Sequence, residues 1–143
     1  MSNDVWTWLI ERTIPSQRGA GSGIVQELLE RLKHQDWVPH DIFGVHLALE
    51  EALANAINHG NRLDASKSVR VVCKVSPHRV RIEVYDEGQG FCPSDVPDPT
   101  DEAHLNVPSG RGVMLMRSYM SLVEYNEAGN CVIMEKQRAI LSE

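Results

Sequence analysis

The sequence is short of positive charge: 14 Lys and Arg stand against 20 Asp and Glu, a formal net charge of −6. Sequence-independent nucleic-acid binding needs clustered cations to neutralise phosphates, so no direct nucleic-acid partner is expected. A single nucleotide, which needs only a local site, is not excluded. Cysteine is scarce as well. Cys73, Cys92 and Cys131 are odd in number and form no close pair, so neither a disulfide framework nor a zinc pattern emerges, and free thiols in a reducing compartment are the expectation. No apolar run approaches the about 18 residues of a membrane-span candidate. The opening MSNDVWTWLIERTIP carries acidic and polar residues where a signal peptide carries basic ones. A soluble, cytoplasmic protein without a membrane partner is therefore expected. Internal repeats and low-complexity tracts are missing too.

What is there reads as one domain over 1–143, long enough to bury roughly 68–70% of its unfolded surface. Val5 to Ile14 is a short strand stopped by Pro15, after which Ser16 can cap a helix, although Gly19, Gly21 and Gly23 blur its first turn. Ile24, Val25, Leu28, Leu29 and Leu32 form the apolar stripe of a helix to His34, and Pro39 or Asp41 opens the next one. Ser68–Val75 and Arg79–Tyr85 read as a β-hairpin. Residues 92–109 hold four prolines and little periodicity, which suits a lid or a disordered insertion. Val113 to Met120 is helical, capped by a residue such as Ser109, and Leu122–Tyr125 with Cys131–Glu135 makes a second hairpin. The order predicts an α+β fold, a two-layer sandwich with helices on one face of a mainly antiparallel mixed sheet.

The chain is organised around His46 to Gly60, HLALEEALANAINHG. Val45, Leu49, Ala52, Leu53 and Ala56 recur with the helical period and mark a core face. Glu51, Asn55 and Asn58 follow at steps of four and three, so they line a neighbouring face and can converge on one small object. Glu50 falls on the opposite flank as a solvated charge. A carboxylate and an amide oxygen one turn apart suit magnesium, which prefers oxygen ligands and keeps much of its water. Taken alone, the pair equally reads as the polar rim of a helix, and the helix end at Gly60-Asn61 suits a left-handed glycine.

Two further segments bear on the choice. Asp86-Glu87-Gly88-Gln89-Gly90 follows a strand; a carboxylate there can accept from an exocyclic amine, while glycines let a flat ring approach the backbone. In isolation the same pentapeptide is an ordinary tight turn. Gly110-Arg111-Gly112 precedes a helix, where free backbone N–H groups and the positive dipole end favour phosphates and Arg111 can add a charged contact. A lone Gly-x-Gly is otherwise a hinge, and no Lys-Ser/Thr follows to make a Walker loop.

Together, in this order, EEALANAINHG, DEGQGF and SGRGVMLMRSYMSLVEY resemble the N box and the two glycine boxes of the GHKL ATPase superfamily, and within it the bacterial anti-sigma-factor serine/threonine kinases. The resemblance covers about residues 7 to 137 and implies a histidine-kinase-like, or Bergerat, nucleotide fold with an ATP lid at about 92–109. Carried over, it implies that Asn55 holds Mg2+ and Glu51 is the general base. Asp86 would bind the adenine amine, Gly88 and Gly90 would shape the adenine pocket, and Gly110 and Gly112 would face the phosphates of ATP. His59 occupies the polar position after the N box, where a carbonyl-satisfied helix end is the other reading. Many relatives place Thr after the last-hairpin glycine. Here Asn130 and Cys131 follow Gly129, and an Asn can make a similar hydrogen bond.

The resemblance implies an ATP-dependent protein kinase that phosphorylates a STAS-type anti-sigma-factor antagonist and sequesters a sigma factor, with a homodimer as one assembly it allows. No dimerisation helix or phosphoacceptor domain of the histidine-kinase type fits in this length. The alternative is a nucleotide-dependent partner-binding switch without efficient transfer, which the acidic Asp95, Asp98, Asp101 and Glu102 favour. A purely structural α+β domain is the third reading.

Overall fold

The computed structural model describes residues 5–88 and 110–139. Strand β1 (Trp8–Pro15) leads to helices α1 (Ser22–His34) and α2 (Pro39–Ala54), and α2 runs on as a π-helical turn over Asn55–Gly60. Strands β2 (Ser68–Val75) and β3 (Arg79–Tyr85), helix α3 (Gly110–Tyr119) and strands β4 (Leu122–Tyr125) and β5 (Cys131–Gln137) complete the order. The five strands lie as β1-β2-β3-β5-β4.

Among the described residues all four pairings are antiparallel, which corrects the expectation of a mixed sheet. β4 runs in the same direction as β3, but the tight β4–β5 hairpin inserts β5 between them, so no parallel neighbours arise. Strand alternation then divides the residues. Val69, Val71, Cys73 and Val75 of β2, Val80, Ile82 and Val84 of β3, and Val132 and Met134 of β5 are all buried and belong to one cluster with Leu28, Leu32, Val45, Leu49 and Met116 of the helices. The predicted core stripe of α2 holds: Val45, Leu49, Ala52, Leu53 and Ala56 are each at most 5% exposed.

The other sheet face carries charges in pairs. Glu135 receives Arg79 at 3.1 Å and Arg81 at 2.7 Å, while Glu83 receives Arg81 at 3.0 Å and lies 3.9 Å from Lys74. Burial pushes the Glu83 carboxyl up, but hydrogen bonds from Tyr85 and Arg81, with the charges of Arg81 and Lys74, hold it below its ordinary value.

Several local expectations need correction. Ser16 does not cap a helix. It is buried, donates to Lys67 O at 2.7 Å and accepts from Asn61, while α1 begins at Ser22 without a side-chain cap. Gly60 is not left-handed; the positive φ values fall on Arg62 (53°) and Leu63 (59°), because the π turn closes through Asn61 N to Ala56 O and Leu63 N to Ile57 O. Pro39 does open α2, occupying its first position where a missing N–H is harmless. The last hairpin turns at left-handed Gly129, with Asn126 Oδ1 accepting from the amides of Asn130 and Cys131.

The segment after β5 reaches back to the α1–α2 corner. Arg138 Nη2 donates to Gln35 O at 2.7 Å and Asp36 O at 3.0 Å, and Ala139 N donates to buried Asp41 at 2.8 Å. Cys73 and Cys131 are free and buried, and burial pushes the Cys73 thiol up to about 12. Cys92 lies outside the described residues. Among those described, no helix is long and apolar enough to cross a membrane.

Candidate nucleotide site

Three segments distant in sequence meet at the C-terminal end of α2. Glu51 is half-buried on its last turns, and Asn55, 9% exposed, follows one turn later. Against Glu51 stands the start of α3: a Cβ built on Gly112 would overlap Glu51 Oε1 and lie 2.9 Å from its Cδ. A glycine at 112 lets the first turn of α3 approach that carboxylate without displacing it. Gly44 works the same way at the far end of the crossing, where a Cβ would meet the Tyr119 ring at 2.9 Å.

The strand-end loop lies on the closing π turn. A Cβ on Gly60 would fall 2.5 and 2.7 Å from the two Asp86 carboxylate oxygens, and a Cβ on Gly88 would overlap Gly60 O. Gly60 is therefore required by close approach and not by backbone angle. Asp86 is half-buried; burial raises its carboxyl above the ordinary value, opposed by the hydrogen bond that Gly88 N donates to Oδ1 at 2.8 Å and by the charge of Lys67. Asp86 N donates to Asn130 O at 2.9 Å, and Asn130 Nδ2 reaches Gly88 O at 3.4 Å. The asparagine that follows Gly129 thus contacts the D-x-G loop.

Asn61 ties the floor together. Only 1% exposed, it donates through Nδ2 to Ser16 Oγ at 2.8 Å and Ser68 O at 2.9 Å, and accepts from Glu87 N at 2.7 Å. Every polar atom of its amide is used. This hub escaped the sequence reading, in which Asn61 was only the residue after a helix-ending glycine.

Tyr125 was missed as well. It ends β4 on the helix-facing side, opposite Val132, and its phenol lies beside the Asn55 amide. Burial pushes it up to about 12; the Asn55 side chain and Arg117 act in the opposite direction, and the charges of Glu51 and Asp86 reinforce the rise. The alternation Leu122, Val123, Glu124, Tyr125 did contain this information, since period two places Val123 and Tyr125 on one face.

Of the predicted residues, Glu51, Asn55, Asp86, Gly88 and Gly112 are brought together. Gly110 and Arg111 supply backbone to the first turn of α3, and the Arg111 side chain, with Gly90 and the stretch 92–109, lies outside the described residues. Asn58 does not join them. The π turn winds more slowly than an α turn and rotates Asn58 toward the β1–α1 connection, where its Oδ1 accepts from Arg18 Nε at 3.4 Å and it borders a cavity with Glu50, Leu53 and Ile57. Glu50 is solvated as expected, its side chain 59% exposed and 3.5 Å from His46. His59 is half-buried within the π turn.

The sequence matches the family of histidine kinase-like ATPase domains over residues 15–136. It is 31% identical over 109 residues to the anti-sigma F factor of Clostridium botulinum (strain Eklund 17B / Type B), covering 71% of this chain and 75% of that protein. The chain belongs to the histidine-kinase-like ATPases, in their anti-sigma-factor branch. The anti-sigma F factors of Clostridium perfringens (strain SM101 / Type A), 29% identical over 68% of this chain and 73% of that one, and of Oceanobacillus iheyensis, 27% identical over 65% and 67%, are further relatives. In structure the chain is similar to the RsbU and RsbW domains of a Mycobacterium tuberculosis protein, with a TM-score of 0.62 at 17% identity over 92% of this chain. This chain spans 32% of that longer one, and the likeness is one of fold.

An ATPase domain of this family implies nucleotide binding. Among the described residues no group of three or more His, Cys, Asp or Glu could hold a metal by itself. The fit is instead to a cation with few protein ligands. Glu51 and Asn55 offer one carboxylate and one amide oxygen, and Asn55 Nδ2 is buried without a well-formed hydrogen bond. Such a donor set suits magnesium that keeps its waters and shares phosphate oxygens.

Proposed function

We propose that this chain is an anti-sigma factor and ATP-dependent serine/threonine kinase, acting on a STAS-type antagonist and sequestering a sigma factor. The observation that carries the reading is the convergence of Glu51, Asn55 and the Gly112 end of α3. A proton acceptor, a metal-compatible amide and a helix N-terminus, the three parts phosphoryl transfer asks of a protein, stand within one turn of one another.

In this reading Asn55 would hold Mg2+, which would supply charge neutralisation at the phosphates of ATP. Asp86 accepts from the adenine amine; Gly88 and Gly90 leave room for the ring. Backbone N–H groups at Gly110 and Gly112 face the phosphates, and Arg111 adds charge. Glu51 takes the proton of the antagonist's Ser or Thr hydroxyl. Phosphorylation then releases the antagonist and frees the kinase for its sigma factor.

A second reading is a nucleotide-dependent binding switch without efficient transfer, which the acidic Asp95, Asp98, Asp101 and Glu102 favour. Glu51→Gln separates the two. As a kinase, the variant keeps ATP binding and loses at least about 10²-fold in transfer to a purified antagonist; transfer unchanged removes Glu51 from the role of base and leaves the switch.

A further inference from the structure

We propose that Lys136 is a positioning residue for the phosphate-facing end of α3: it ties the opposite end of that helix to the start of α2 and so sets where the Gly112 turn lies against Glu51. The inference rests on the reading of the first turn of α3 as the part that faces the phosphates. Strand alternation points to Lys136 first. Val132 and Met134 of β5 are buried against the helices, and period two puts Lys136 on the same side. A cation facing a core needs partners, and Lys136, its side chain 18% exposed, has two. Its Nζ donates to Tyr119 O, the last carbonyl of α3, at 2.8 Å and lies 3.8 Å from Asp41 Oδ1 in the first turn of α2. A cation at a helix C-terminus and an acid at a helix N-terminus each suit the helix dipole. One ammonium therefore joins the negative end of α3 to the acid at the positive end of α2.

The two helices run antiparallel and approach closely at two places. A Cβ on Gly44 would lie 2.9 Å from the Tyr119 ring, and one on Gly112 would overlap Glu51 Oε1. Gly44 and Glu51 are seven residues apart on α2, as Gly112 and Tyr119 are on α3, which is about 10 Å along each axis. The equal spacing means that sliding α3 along α2 changes both contacts at once. Lys136 resists that slide from the Tyr119 end. Its anchor is firm, because Asp41 is buried and accepts from Ala139 N at 2.8 Å through its other oxygen. The Tyr119 ring also packs against His40 and Phe43 of α2, with centroids 6.2 and 5.8 Å apart. The ammonium thus acts from the far end of the helix pair, while the consequence falls on the Gly112 turn.

The test is Lys136→Met, which keeps an apolar stem and removes the ammonium. It is compared with Glu83→Gln, a substitution on the open face of the sheet. Two quantities are read for each variant: the affinity for ATP with Mg2+, by calorimetry, and the backbone amide signal of Gly112 without ligand, by NMR. The expected result is that Lys136→Met weakens ATP binding about tenfold and moves the Gly112 signal, while Glu83→Gln leaves both at their wild-type values. A merely structural lysine would lower the unfolding temperature and nothing else. Unchanged ATP affinity in Lys136→Met therefore overturns the proposal, as does an equal loss of affinity in Glu83→Gln. Should Lys136→Met fail to fold, Asp41→Asn, which discharges the anchor of the ammonium, is read in the same way with the same two outcomes. If the wild type itself binds no ATP, the nucleotide reading falls; the Gly112 signal, taken without ligand, still decides whether Lys136 sets that end of α3.

Discussion

On the open face of the sheet, each carboxylate that the strands bury has a guanidinium against it: Glu135 meets Arg79 and Arg81, and Glu83 meets Arg81 and, less closely, Lys74. At the end of α2 the arrangement is different. Asp86 takes its hydrogen bond from the backbone of Gly88, with Lys67 the weakest influence on it, and Glu51 lies against the backbone of Gly112. One region pairs its charges with one another. The other holds acids against glycine backbone, where an amine, a cation or a phosphate can still find an unspent partner. Both regions are polar and partly buried, so polarity alone does not reveal a site; the identity of the partner does.

Substitutions on the two sides sharpen this contrast. The largest effect is expected at Gly88→Ala, because the new methyl meets the carbonyl of Gly60 and not a movable side chain. Overpacking of this kind should cost about 3 kcal/mol, read by urea unfolding. A variant as stable as wild type would mean that the D-x-G loop is not pinned to the π turn. Asn61→Ala comes next: it removes a buried amide that holds Glu87 N, Ser68 O and Ser16 Oγ, for a loss of about 2 kcal/mol. On the open face, Glu135→Ala should cost only about 1 kcal/mol, since Arg81 keeps Glu83 and both arginines keep some access to water, and the loss should shrink in high salt.

The subtlest contrast is in acid. Glu83 is held below its ordinary value, so it contributes stability that is present above about 4.5 and disappears as pH falls through its folded value. Asp86 is raised, chiefly by burial, so its contribution is complete below 3.8 and is lost as pH rises through its folded value. Glu83→Gln should therefore be less stable than wild type at neutral pH, with the gap closing in acid. Asp86→Asn should gain on wild type as pH rises from acid to neutral. Chemical denaturation of both variants across that range checks the signs, and parallel pH profiles would erase the distinction between the two faces.

Much of the architecture was legible because local chemistry specified it. Pro39 at the first position of α2, the three- and four-residue spacing of Val45, Leu49, Ala52, Leu53 and Ala56, and the alternation of β2 and β3 each act within a few residues. Glu51, Asn55 and Asp86 were legible as a set through their order along the chain. What stayed hidden depends on contacts across the fold. Nothing near Asn58 announces that a π turn will swing it toward Arg18, and nothing near Gly60 shows that Asp86, far along the chain, will occupy the space of its side chain. Ser16 looked like a cap because caps are local, yet its hydroxyl is spent on Lys67 and Asn61.

The bonds from Arg138 and Ala139 to the α1–α2 corner have a consequence in time. They join positions separated by 98 to 103 residues, so a nascent chain that has already wound both helices still lacks the clasp on their junction. On the ribosome the corner stays open until β5 and the two residues after it have left the exit tunnel, and late, non-local closure of this kind slows folding. For that interval the uncovered helical corner is the surface a chaperone would meet.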